Sequence, residues 1–252
     1  MLVSYKKQFI FTHIPKTAGT SIKWALRKYR STTEQHRLLR FVARHNPFCE
    51  FVNYSAHPHW SLYRAKCLLG DEVFERFYKF ASVRHPVSRE ISIFKYLLKH
   101  EGRTNLKRDV FTPVFKYRKF DQFIRWRRDT GAVPQITQLI NDRGEILTDD
   151  IIRIEAIETE FARVCERIGI SKSLPVLNDN PLKTKDIEVT KSTSRIIEML
   201  FQADYEAFGY TSPCGLGKRE MSQDKCYLKE GRLLSEIETA HNGRFGPMVV
   251  YC

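Results

Sequence analysis

Short apolar runs, each broken by a polar turn and followed by an apolar stripe at helical spacing, organise this chain. Phe9 to Ile14 is such a run and reads as a buried strand. Pro15 to Gly19 interrupts it, and Ile22, Ala25, Leu26 and Tyr29 then recur at i, i+3, i+4 and i+7. Phe77 to Val83 repeats the arrangement. It ends in Arg84, Pro86 stands where a first helical turn accepts proline, and Val87, Ile91, Phe94 and Leu98 form the next stripe. Asp150 to Glu155 predicts a third strand, with Ile157, Phe161, Val164, Cys165 and Ile168 at helical spacing behind it, which makes Cys165 a core residue rather than a thiol catalyst. Strands alternating with helices predict an α/β fold with a central parallel sheet flanked by helices.

The first break carries chemistry. Strand, tight loop and helix in succession turn backbone N–H groups and a helix N-terminus toward one point, where an anion is stabilised. Lys16 adds a full positive charge, and Thr20 or Ser21 can cap the helix and offer a hydroxyl to a phosphate oxygen. Lys16, Thr17, Ala18, Gly19, Thr20 and Ser21 therefore form a candidate phosphate cradle. It is not a Walker A loop, in which the lysine follows the second glycine; here Lys16 precedes Gly19. The plainer alternative is a tight turn with an exposed lysine.

The order Pro15-Lys-Thr-Ala-Gly-Thr-Ser21 resembles the 5′-phosphosulfate loop of sulfotransferases that use 3′-phosphoadenosine-5′-phosphosulfate (PAPS). Phe80-Ala-Ser-Val-Arg-His-Pro-Val-Ser-Arg-Glu-Ile-Ser92 resembles the 3′-phosphate motif of the same family, in which an arginine and a serine eight positions on hold that phosphate. The resemblance gives these roles to Arg84 and Ser92, although His85, Val87 and Ser88 depart from the commoner Asn-Pro-Trp-Asp wording. A guanidinium suits bidentate phosphate binding. Taken singly, Arg84 reads as a surface ion-pair partner and Ser92 as an ordinary helix residue; together they keep the motif's spacing. The resemblance implies a P-loop-kinase-like sheet and transfer of a sulfuryl group to a hydroxyl, with PAPS as co-substrate and no metal.

Between the motifs lies Ala56-His-Pro-His-Trp-Ser61. Pro58 holds His57 extended, so that His57 and His59 project to one side. Carbohydrate-type sulfotransferases carry a base histidine here, followed in bacterial members after some eleven residues by a Gly-Glu/Asp pair closing a short helix; His59 with Gly70-Asp71 is similar. His57-Pro-His59 also resembles the paired histidines of uronyl 2-O-sulfotransferases. The resemblance makes His59 the first choice as general base and His57 the second. Chemistry agrees, since an imidazole near pKa 6.5 can take the proton of a sugar hydroxyl. A His-x-His metal site is the rival and lacks an evident third ligand.

The likeness continues in Leu174-Pro-Val-Leu-Asn178 and in Asp204-Tyr-Glu-Ala-Phe-Gly-Tyr210. It implies that the polar loop from Asn178 to Lys191 covers the nucleotide, bringing Lys183 and Lys185 near it, and that Gln135 and Gln138 lie on the acceptor side. Residues 1–212 read as the sulfotransferase domain, and 213–252 as a C-terminal extension of unknown role.

Net charge is +13, from 42 Lys+Arg against 29 Asp+Glu, a balance that attracts polyanions. Much of it lies in Arg103, Lys107, Arg108, Lys116, Arg118, Lys119, Arg125, Arg127 and Arg128, where the resemblance puts the acceptor. As a cluster they favour an anionic carbohydrate or another hydroxyl acceptor, with Arg103 and Arg125 as contacts; singly, each reads as part of a solvated surface. No nucleic-acid-binding module is recognisable. No run reaches the length of a membrane span, and the charged start is no signal peptide. If Met1 is the native start, a cytoplasmic, bacterial-type enzyme is expected, and a membrane-anchored Golgi enzyme only if the chain is truncated. Six cysteines without a C-x-x-C pair fit reduced thiols. A P-loop-like kinase and a non-catalytic nucleotide or polyanion binder remain as alternatives; the first needs a Walker lysine, and the second has no use for His59.

Overall fold

The computed structural model of the chain describes residues 1–30, 61–99, 119–175 and 187–211. In chain order it contains β1 (Leu2–Ser4), β2 (Phe9–Thr12), α1 (Gly19–Leu26), α2 (Leu62–Leu69), α3 (Asp71–Arg76), β3 (Tyr78–Val83) and α4 (Pro86–Lys99). These are followed by α5 (Phe120–Thr130), β4 (Asp150–Arg153), α6 (Ile157–Arg167), α7 (Lys191–Leu200) and α8 (Gln202–Phe208). The chain divides into two compact units, the first holding Met1–Arg84, Gln135–Asn141 and Ile146–Asp179.

The first unit carries the sheet, in the order β1-β2-β3-β4. β2 pairs with β3 and β3 with β4 in parallel, in registers that place Phe11 beside Phe80 and Ser82 beside Ile152. This is the expected α/β sheet, with one correction: it is mixed, because β1 pairs antiparallel with β2. Three residues are too short to show a periodicity, so pattern alone did not reveal β1. The hairpin closes with Gln8 at φ 50°. Strands also end earlier than the apolar runs: β2 stops at Thr12, and β4 gives way to a 3₁₀ turn at Ile154–Ala156. His13 and Ile14 remain buried without belonging to the strand, so the apolar run marks burial rather than pairing.

Phe9, Phe11, Phe80 and Ile152 of the sheet pack with Ile22, Ala25 and Leu26 of α1 and with Phe161, Val164 and Cys165 of α6. The two stripes read from the sequence are thus the two faces that close this core. Each fully buried phenylalanine or leucine contributes roughly 1.5–3 kcal/mol. Burial, its largest influence, pushes the Cys165 thiol up to about 11, which suits a packing role and not a nucleophile.

The second unit is His85–Pro134, Asp142–Glu145 and the chain from Asn180 onward, and its described residues form the helices α4, α5, α7 and α8. Ile91, Phe94 and Leu97 of α4 meet Phe120, Phe123 and Ile124 of α5, with Ile197 of α7 and Phe201 beside them. The Asp204-to-Tyr210 signature is a packing device in this unit. α8 ends in Gly209 with φ 65°, and the Tyr210 N–H donates back to the Tyr205 carbonyl at 3.1 Å, a Schellman-type close. The rings of Tyr205 and Tyr210 then meet His85 edge-on at 5.4 and 5.2 Å.

Glu90 of α4 has no exposed surface and accepts two hydrogen bonds from Arg127 of α5, at 3.0 and 3.3 Å. Arg127 therefore belongs to the interior and not to the solvated basic surface expected of it. Among the described residues, no helix is long and apolar enough to cross a membrane.

The Glu90–Arg127 pair sets a stability prediction. Arg127→Met leaves a buried carboxylate without its bidentate partner, and denaturant unfolding should show a loss of about 3–5 kcal/mol. Adding Glu90→Gln should return most of it. A loss below about 1 kcal/mol in the single variant would show that the pair contributes little.

Candidate active site

The loop after β2 has the local geometry of an anion cradle. Lys16 and Ala18 both adopt left-handed backbone conformations, with φ 68° and 57°. Such angles cost an L-residue roughly 1–2 kcal/mol each, and in a strand-to-helix turn they swing successive N–H groups toward one concavity. α1 begins at Gly19 with Ala18 as its N-cap, and no side chain caps it. This corrects the expectation for Thr20 and Ser21. They lie within the first helical turn, past the position from which a hydroxyl reaches back to the amides. The first-turn N–H groups thus have no side-chain acceptor from the cap, the condition under which a helix N-terminus binds an anion.

Thr17 holds the strained loop in place. It is fully buried, and its Oγ1 donates to the Ile14 carbonyl at 2.8 Å. The same oxygen lies 2.9 Å from Ser82 Oγ. Because the Thr17 proton goes to the carbonyl, Ser82 is the donor of that second bond. The Thr17 side chain is therefore a tether from loop to β3.

Gly19 is fixed by a close approach. A Cβ there would clash with the His13 imidazole, at Cδ2 and Nε2. His13 is 7% exposed and stacks on Phe11 at 6.4 Å, so the ring has little room to retreat. Sequence reasoning assigned neither His13 nor Ser82 a part in the site. For Ser82 a signal existed: a lone hydroxyl in an apolar strand requires a buried partner.

At the end of β3, Arg84 is partly buried. Its backbone N–H donates to Gln135 Oε1 at 3.0 Å, and Gln135 Nε2 donates to its carbonyl at 2.8 Å. Gln135 has no exposed surface, and the partner it meets is the Arg84 backbone rather than the acceptor contact expected of it. Gln138, in the same 3₁₀ turn (Gln135–Gln138), is half-buried, and its Oε1 has no hydrogen-bond partner among the described residues. Ser92 lies in the second turn of α4 and is half-buried.

Arg125 is exposed on α5, and Arg128 beside it pairs with Asp129 at 2.9 Å. Gly70, at φ 78°, ends α2, and Asp71 opens α3, so the Gly-Asp pair does close a short helix. Ser61 caps α2 by accepting from the Arg64 N–H at 3.2 Å. His57, His59, Arg103, Lys183, Lys185 and the segment 213–252 lie outside the described residues. Among the described residues, no group of three or more His, Cys, Asp or Glu side chains is arranged to hold a metal ion.

Fold and loop together define an α/β protein with a candidate anion-binding loop at the carboxyl end of a parallel strand. The chain belongs to the Sulfotransferase family, whose model matches residues 1–211. Membership carries sulfuryl transfer in general as its activity. No curated protein and no solved structure matches the chain.

The contact between Gly19 and His13 is testable by paired substitution. Gly19→Ala should lower the unfolding midpoint, since overpacking of this kind typically costs about 1–3 kcal/mol. Gly19→Ala combined with His13→Ala should recover much of that loss, because the added methyl then has space. A Gly19→Ala protein as stable as the parent would contradict the packing described.

Proposed function

We propose that this protein transfers a sulfuryl group from PAPS to a hydroxyl of a carbohydrate, with His59 as general base. The observation that carries the donor half is the cradle itself, two left-handed residues leading into a helix that no side chain caps. It suits the 5′-phosphosulfate, a donor this family generally uses. Lys16 supplies the charge, and the backbone amides from Thr17 to Ser21 supply hydrogen bonds. Arg84 and Ser92 take the 3′-phosphate, as their eight-residue spacing supports, and Lys183 and Lys185 approach the nucleotide from the following loop.

During transfer, the acceptor oxygen bonds to sulfur as the bond from sulfur to the bridging phosphate oxygen breaks. The acceptor proton passes to His59. Charge grows on the departing phosphate oxygen, where Lys16 and the loop amides stabilise it. Adenosine 3′,5′-bisphosphate and a sulfate ester are the products. No divalent cation has a role in these steps. Arg103, Arg125 and Gln138 are assigned to the acceptor side, and the net charge of +13 favours an acceptor that is itself anionic.

Calorimetry tests the donor assignment. Adenosine 3′,5′-bisphosphate should bind without divalent cation and much more tightly than ATP with magnesium; the opposite order rejects the assignment.

The base is tested with labelled PAPS and a panel of anionic and neutral glycans. His59→Ala should retain nucleotide affinity while kcat falls by about 10²- to 10⁴-fold. His57→Ala should do less, and Lys16→Ala should lose affinity and rate together. Normal turnover in His59→Ala with inactive His57→Ala moves the base to His57, and normal turnover in both rejects a histidine base.

A further inference from the structure

Gln135 is an unusual residue to bury completely. A carboxamide without hydrogen bonds in an apolar interior costs several kcal/mol, where a leucine or methionine of similar volume costs nothing. Its 0% exposure therefore requires partners, and two of them are the backbone N–H and C=O of a single residue, Arg84. The exchange of one donated and one accepted bond, at 3.0 and 2.8 Å, is the pattern one peptide offers another across a β-ladder.

The position of this exchange matters. The β3–β4 ladder ends at the Val83–Arg153 rung, one residue before Arg84. Beyond it no neighbouring strand among the described residues aligns the chain, and Pro86 two residues on has no N–H to offer. The Gln135 side chain takes the place of the missing strand and holds Arg84 as one more rung. Gln135 is held in turn by its own surroundings. It opens the Gln135–Gln138 turn, Leu139 donates to the Ile136 carbonyl at 2.8 Å, and Leu147 donates to the Leu139 carbonyl at 2.8 Å. A backbone fixed at both its N–H and its C=O fixes the direction in which the Arg84 side chain leaves the strand.

We infer that Gln135 is a positioning residue that sets selectivity for the 3′-phosphorylated nucleotide by orienting Arg84. This rests on the assignment of Arg84 to the 3′-phosphate. It also gives Gln135 a role on the donor side of the reaction rather than the acceptor side. An arginine that binds phosphate through a planar fork depends on angle as well as distance, so a loosened Arg84 loses discrimination before it loses charge.

The readout is the ratio of affinities for adenosine 3′,5′-bisphosphate and adenosine 5′-phosphate, measured by calorimetry on folded protein with thermal unfolding in parallel. Gln135→Met keeps the length and removes both bonds; Gln135→Asn stays polar and neutral but is one methylene too short to make both. Either variant should lower the ratio by about tenfold, chiefly through weaker binding of the bisphosphate. In an Arg84→Ala background the same substitutions should leave the ratio unchanged, since the two residues then act through one contact. If Arg84→Ala lowers the ratio and neither folded Gln135 variant does, the positioning role is wrong and Gln135 serves stability alone. If Arg84→Ala itself leaves the ratio unchanged, the 3′-phosphate assignment fails, and this inference with it.

Discussion

The parallel pairing of β2 with β3 is the constraint on which the candidate site depends. Strands that run the same way bring their carboxyl ends to one edge of the sheet, the edge at which ligands of open α/β sheets gather. With Thr12 opposite Ala81 as the last rung of that pair, the loop after β2 emerges beside Ser82. The bond from Ser82 to Thr17 then ties loop to strand, and the Ile14 carbonyl takes the remaining Thr17 proton. Without that tether the left-handed conformations of Lys16 and Ala18 would relax. With it, a few kcal/mol of local strain is held by a core whose phenylalanines individually contribute a comparable amount.

Polar residues near this edge divide into those that hold the site and those left to act. Thr17 and Gln135 both read as binding residues in the sequence, yet each is fully buried and turned inward, one to a strand hydroxyl and the other to a strand backbone. Arg127 behaves likewise in the helical unit, where Glu90 claims it. In the candidate cradle, the groups proposed to meet an anion are mostly backbone: the amides of the loop and of the first turn of α1, together with Lys16. Backbone donors held by buried side chains need no reorganisation when charge develops, which makes them effective in transfer chemistry.

The excess of positive charge looks different once burial is known. Arg127 is neutralised internally and the exposed Arg128 is paired with Asp129, so the uncompensated charge of the α5 cluster is smaller than a count of residues implies. Arg125 remains exposed. The charge total therefore speaks to long-range steering of anions more than to a particular contact.

The amino-acid sequence by itself determined the strands at Phe9, Tyr78 and Asp150, the helices behind them, and the candidate loop with its lysine. All of these are local: an apolar run, a helical period, a proline or glycine at a turn. Membership of the Sulfotransferase family was legible for the same reason, because its motifs are contiguous stretches of chain. β1 was missed because three residues carry no period and its strand character comes from β2. Tertiary structure alone decided that α1 starts uncapped at Gly19, that His13 crowds any side chain there, that Thr17 bonds to Ser82, and that Gln135 grips Arg84. The last three are choices of partner across 6 to 65 positions of sequence. A side chain's hydrogen-bonding capacity is written in its identity, but which group it bonds depends on what folding brings within about 3 Å of it.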